Sequence, residues 1–129
     1  MNILCRVVVA DDNHDAADSL ALMIECLGYS AHAAYDGREA VEASARYFPE
    51  LAILDVQMPA LDGCAAARHL RSMEKAPVCI ASLTALDPGT EPFKSQAHAF
   101  DVHLTKPPKL EEITALLFSV LGAPAPYSR

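Results

Sequence analysis

The stretch LAILD at residues 51–55, continuing as VQMP to Pro59, imposes two constraints at once. Leu51, Ala52, Ile53 and Leu54 leave no polar face, so the segment suits a strand covered on both sides rather than one with a wet face. Strands of that kind belong to parallel sheets enclosed by helices. The run nevertheless stops on a carboxylate, Asp55. Either Asp55 is an ordinary strand end turned to water, or it is placed there for chemistry.

Reading outward from this strand, the chain alternates. RVVVA (6–10) is a β-branched run and reads as a first strand. Residues 15–27 put Ala17, Leu20, Ile24 and Leu27 on one helical face, with Gly28 as the stop. SAHAA (30–34) is a weaker strand, placed by its position in the order. Asp36 with Glu39 three residues on forms a capping-box pattern for a helix to about Tyr47. A helix from about Asp62 to Met73 turns Ala66, Leu70 and Met73 inward, and PVCIASL (77–83) reads as the fourth strand. Pro88, Gly89 and Pro92 let the next helix start only near Pro92. DVHLT (101–105) is the fifth strand, and Leu110, Ile113, Leu117 and Leu121 mark the last helix. Five strands alternating with five helices predict an α/β domain with a parallel sheet covered on both faces.

Composition agrees with this. A chain of 129 residues suits one domain and can bury a core without a structural metal or disulfides. The net charge of −7 argues against nonspecific binding to nucleic acid or anionic membrane. Cys5, Cys26, Cys64 and Cys79 are widely spaced and form no C-x-x-C, which fits reduced, mostly buried thiols in a cytoplasmic protein. The apolar stretch Ile3 to Ala10 is broken by Arg6, is too short for a membrane span and lacks a cleavage pattern. The domain is expected over residues 1–122, with the proline-rich 123–129 as a loose tail.

In open sheets of this class, ligands bind beyond the carboxyl ends of the strands. The residues expected there are Asp11 and Asp12, Asp55, Thr84 and Lys106. Each has a plain structural reading: acids after a strand cap helices, Thr84 can cap a turn, and Lys106 can be a loop charge. Their coincidence at one edge favours a site. Three carboxylates in one small space repel each other unless a cation intervenes. Mg²⁺ takes a few carboxylates with waters and a phosphate. Lys106 offers a compact charge for an anion and Thr84 a hydroxyl, so the set suits a phosphoryl group beside a metal, and an Asp carboxylate can itself be the nucleophile.

With those residues in place, the chain resembles the receiver domain of two-component response regulators over nearly its whole length. The resemblance rests on VVVADD, LAILDVQMPALDG, SLTA and LTKPP, in that order. It implies a flavodoxin-like, doubly wound five-stranded sheet of order 2-1-3-4-5. Asp55 then looks like the phosphoacceptor, with Mg²⁺ (or Mn²⁺) held by Asp12, Asp11, Asp55 and the backbone carbonyl of Gln57. Lys106 would pair with the phosphoryl group, and Thr84 would bond it and move inward. Ala85 would leave access to the acceptor. The bond before Pro107 would often be cis. The implied donor is a histidine kinase or a histidine phosphotransfer domain, the downstream partner is unknown, and the state is a monomer or weak dimer. Such a domain catalyses only its own phosphorylation and slow dephosphorylation.

Three places depart from the family pattern. His103 stands where many receivers have Tyr or Phe as a switch, and FDVHL resembles the hybrid-kinase subgroup; a surface histidine on an edge strand is the plain alternative. Gln57 and Leu86 should flank the path of attacking water, and an apolar Leu86 cannot orient it, which predicts a long-lived phosphoryl group. LDPGTEP (86–92) should shorten or shift the fourth helix, while Leu116 and Phe118 are candidates for a partner surface. Two other functions remain open from the residues. One is an interaction module that works without phosphorylation. The other is a Mg²⁺-dependent phosphatase, which Gln57 disfavours because such enzymes place a second acid there. A nucleotide-binding reading fails for want of a Gly-rich loop after the first strand.

Overall fold

The computed structural model describes residues 5–58, 60–85 and 94–124. Within them the order is β1 (Val7–Ala10), α1 (His14–Cys26), β2 (Ala31–Ala34), α2 (Gly37–Tyr47), β3 (Leu51–Asp55), α3 (Gly63–Arg71), β4 (Cys79–Thr84), a 3-10 helix (Lys94–Ala99), β5 (Val102–Thr105) and α4 (Leu110–Leu121). The five strands form one parallel sheet of order β2-β1-β3-β4-β5.

The opening stretch LAIL is buried on both faces because alternate residues point to opposite sides of a strand. Leu51 and Ile53 join a core with Leu20 and Ile24 of α1 and Ile113 and Leu117 of α4. Ala52 and Leu54 join a second core with Ala40 of α2 and Ala66 and Leu70 of α3. Helices therefore cover both faces, and all five residues of β3 are buried, Asp55 included.

Three helices start where short polar residues cap them. Asn13 accepts a hydrogen bond from the Ala16 N–H (3.1 Å), Asp36 from Glu39 (2.7 Å) and Asp62 from Ala65 (2.8 Å). The capping-box expectation needs one correction. Glu39 reaches back past the cap residue and accepts from the Tyr35 N–H (2.9 Å).

The expected fifth helix is also corrected. Among the described residues there are four α-helices, and a 3-10 helix at Lys94–Ala99 stands between β4 and β5. Pro88, Gly89 and Pro92, which prompted the expectation of a shortened helix, lie outside the described residues. Leu116, considered for a partner surface, is core at 7% exposure, whereas Phe118 is 61% exposed. Leu27 caps α1 and packs on the core only in part. Cys5, Cys64 and Cys79 are buried free thiols, and Cys26 is exposed.

Polar clamps fix the sheet's β5 side. The Ile80 N–H donates to Asp101 Oδ2 (2.8 Å), and Arg71 of α3 pairs with the same oxygen at 2.6 Å. Burial pushes the Asp101 carboxyl up, but the Ile80 and Arg71 bonds outweigh that and hold it below its ordinary value. Its contribution is therefore present above the ordinary Asp range and is lost as pH falls through the lowered value. Replacing Asp101 with Ala is expected to cost about 1–3 kcal/mol, since Ile80 loses its partner. The urea midpoint at pH 7 reads this; an unchanged midpoint contradicts it.

Candidate functional site

The acids reach one place because three strands end there. β1 runs into Asp11 and Asp12, β3 ends on Asp55, and β5 leads into Lys106. The Asp11 N–H donates to Ala34 O of β2 (3.1 Å), and the Asn13 N–H returns to Asp11 Oδ1 (3.0 Å). Those bonds turn the chain sharply after β1 and hold Asp11 inward, 1% exposed, while Asp12 faces solvent. A stacked His14–Tyr35 pair (centroids 4.0 Å) and the Tyr35 hydroxyl on Asp18 Oδ1 (2.6 Å) strap the first turn of α1 to the β2–α2 corner beside them.

Asp55 is 4% exposed. Its Oδ1 accepts the Gln57 N–H at 3.1 Å, and its Oδ2 lies 3.1 Å from Lys106 Nζ. The same ammonium stands 3.0 Å from Asp11 Oδ2. Asp11 Oδ2 is fully buried and, apart from this ion pair, accepts no well-aligned hydrogen bond. Burial pushes the Asp55 carboxyl up to about 6; the Gln57 N–H and Lys106 resist this, and the Asp11 charge adds to it. Burial would lower Lys106, but attraction to Asp11 and Asp55 wins and raises it.

Asp11, Asp12 and Asp55 each offer a carboxylate oxygen, all within 4.8 Å of one another. A buried, under-bonded carboxylate oxygen within an all-oxygen donor set fits a hard divalent cation. Thr84, 2% exposed, ends β4, and its carbonyl accepts the Lys106 N–H (3.1 Å), which seats Lys106 beside it. Ala85 follows at the surface and Gln57 is exposed. The Lys106–Pro107 bond is cis. Next to the acids a cleft of about 380 Å³ is lined by Asp11, Ala16, Leu20, Leu83, Lys106 and Pro107.

The expected residues Asp11, Asp12, Asp55, Thr84 and Lys106 thus assemble at the carboxyl edge. His103 does not join them; it lies on β5 and bonds Ser82. Leu86 lies outside the described residues. Sequence reading missed Ser82, whose polar character inside the apolar run CIASL was the available signal. It also missed Gly63 and Gly37, which lie against backbone of β3 and the loop after it.

Fold and site together define a doubly wound α/β domain with an acidic centre opposed by a lysine. The model of the response regulator receiver domain matches residues 7–118, and the chain belongs to that family. It is 37% identical over 122 residues to the response regulator MprA of Mycolicibacterium vanbaalenii, an alignment covering 94% of this chain and 52% of MprA. The chain therefore spans about half the length of the curated relatives it matches. Among solved structures it is similar to the receiver domain of the sensor histidine kinase PA1611 from Pseudomonas aeruginosa, which has a magnesium ion coordinated in its active-site cleft. That match has 27% identity and a TM-score of 0.80, and covers 93% of this chain and 99% of the other. A second similar structure is the co-crystal of the Saccharomyces cerevisiae histidine phosphotransfer protein Ypd1 with the receiver domain of Ssk1. It has 26% identity and a TM-score of 0.78, and covers 93% of this chain and 90% of that one.

Proposed function

We propose that this receiver domain accepts a phosphoryl group onto Asp55 from a phosphohistidine of a histidine kinase or a histidine phosphotransfer protein. One observation carries the reading: at the end of a central strand the buried Asp55 and Asp11 share the Lys106 ammonium at ion-pair distance, and Asp12 offers a third carboxylate oxygen within 4.8 Å of theirs. A carboxylate oxygen of Asp55 attacks phosphorus, the phosphorus–nitrogen bond of the donor breaks, and the imidazole nitrogen keeps the electron pair and takes a proton. Asp11, Asp12, Asp55 and the Gln57 carbonyl would hold Mg²⁺, which when bound neutralises charge on the transferring group. Lys106 leaves its present bridge to meet the incoming oxygens, and Thr84 donates its hydroxyl to one of them. Ala16, Leu20, Leu83 and Pro107 line the adjoining cleft with mostly apolar surface on one side of that approach.

The added charge of nearly two, at a site already acidic, is the signal, and a surface that binds a downstream protein responds to it. The domain modifies itself and does not turn over a substrate. Among the described residues no helix is long and apolar enough to cross a membrane.

Incubation with acetyl phosphate and Mg²⁺, read by intact mass, tests the reading. One added phosphoryl group is expected, and none in Asp55→Asn. No gain on folded wild-type protein overturns it. A second result concerns pH. The carboxylate must be ionised to bind the metal, and its carboxyl stands near 6. Mg²⁺ affinity should therefore be level above that pH and weaken below it by up to about tenfold per pH unit for one competing proton. Calorimetric titrations at pH 7.5 and 5 give the comparison; equal affinities exclude Asp55 as a ligand.

A further inference from the structure

Ser82 is a polar residue at the centre of an apolar strand, and it is 0% exposed. It lies two positions before Thr84, so the two side chains share one face of β4. Directly across the ladder, in register, stands His103 of β5. The Ser82 Oγ and His103 Nδ1 are 2.8 Å apart. On its other side the imidazole meets the edge of the buried Phe100, with centroids 6.0 Å apart at 63°. His103 is an exposed residue, yet one ring nitrogen is spent on a hydroxyl that no water reaches. Turning the ring outward would strand that hydroxyl, which is unfavourable for a buried polar group. The ring is accordingly fastened to the same strand face that carries Thr84, two residue pairs upstream of the Thr84–Thr105 pair.

We propose that Ser82 is a positioning residue for signal output: its hydroxyl latches His103 to β4, so that a change at Thr84 reaches the β5 surface as a change at the imidazole. The proposal rests on the phosphoacceptor reading above and adds the route by which occupancy of Asp55 is reported. The route is a hydrogen bond across the ladder, formed before any phosphoryl group arrives, and it differs from a ring that is loose until activation. Loss of the hydroxyl therefore leaves the acceptor chemistry intact and uncouples the edge strand.

The test uses the whole chain, Mg²⁺ and beryllofluoride as an inert phosphoryl mimic, followed by proton–nitrogen NMR of backbone amides and histidine rings. His103 is assigned by its absence in His103→Gln. In the wild type, beryllofluoride should shift the Thr84 amide and the His103 ring together. In Ser82→Ala the Thr84 shift should remain, while the His103 ring shift falls by about threefold or more, the scale of coupling between directly bonded neighbours. Ser82→Thr, which keeps a hydroxyl, should restore it. Should Ser82→Ala fold poorly, His103→Phe removes the same bond from the exposed side and must reduce the shifts of the other β5 amides alike. A His103 response in Ser82→Ala equal to the wild type overturns the latch alone. A wild type in which neither Thr84 nor His103 responds, though Mg²⁺ binds, overturns the phosphoacceptor reading and the latch with it.

Discussion

Gly63→Ala is expected to lower the stability of the domain by about 3–5 kcal/mol, the range reached by severe steric or core defects, and to weaken Mg²⁺ binding by about tenfold or more through misplacement of a ligand. Gly63 opens α3, and a Cβ there would lie 2.2 Å from the carbonyl oxygen of Asp55 and 2.8 Å from Val56 Cα. Both are backbone atoms and cannot rotate away. The Gly63 N–H also donates to Val56 O at 3.0 Å, closing the loop that follows the acceptor. Relief requires either that α3 back off the sheet, opening the contact of Ala66 and Leu70 with Leu54, or that the Asp55 peptide shift. The first costs core packing and the second moves the acceptor, so stability and Mg²⁺ affinity fall together.

Gly122→Ala is the internal control: its Cβ meets nothing within 4 Å, although φ is +77°. Only the backbone cost of its positive-φ conformation (ψ −162°) applies there, about 1–3 kcal/mol for a non-glycine residue. Urea unfolding and Mg²⁺ titration of both variants separate the two effects. A Gly63→Ala protein within 1 kcal/mol of wild type, on that order the noise of such comparisons, removes close approach as the reason for the glycine. Gly37→Ala should resemble Gly63→Ala, because its Cβ would fall on the Leu61 carbonyl.

These glycines show where a one-dimensional reading ends. LAILD was legible because burial on two faces leaves its mark in consecutive residues, and the site acids were legible because strand ends of such sheets share an edge. Helix starts at Asn13, Asp36 and Asp62 lie in local caps. What escaped was set by partners far away in the chain. Nothing near Gly63 announces the Asp55 carbonyl, and nothing near Ser82 announces His103, 21 residues on. Leu116 and Phe118 are two apolar residues on one apolar helix, and only the packing of α4 on the sheet assigns the first to the core and the second to the surface. The segment before β5 was ambiguous for another reason: its prolines and glycine set limits on a helix without specifying what replaces it, which at Lys94–Ala99 is a 3-10 helix.

Asp55→Asn, which should abolish phosphorylation, is expected to make the metal-free domain more stable at neutral pH, by about 1–3 kcal/mol. The folded carboxyl stands near 6 against an ordinary 3.8, a gap worth up to about 3 kcal/mol. Between those values the folded protein holds a proton that the unfolded chain has lost, so stability declines as pH rises through the window. Above it the penalty is complete, and Asn never incurs it. The loss of attraction to Lys106, 3.1 Å away, trims the gain. The difference between variant and wild type should be widest at pH 7–8 and close below about pH 4, where both folded and unfolded wild type are protonated. Urea curves across that range measure it, and a variant less stable than wild type at pH 7 refutes it. Lys106→Met should act in the opposite direction in the wild type, because two buried acids lose their shared cation. The loss is limited, since Asp55 can take up a proton. In the Asp55→Asn background the same change should cost less, with Asp11 alone left unpaired, and the two substitutions will not add. A carboxylate whose removal stabilises the fold is not kept for packing. Its charge is tolerated through Lys106, and Asp11, the acid that worsens its position, is also placed to share a cation with it.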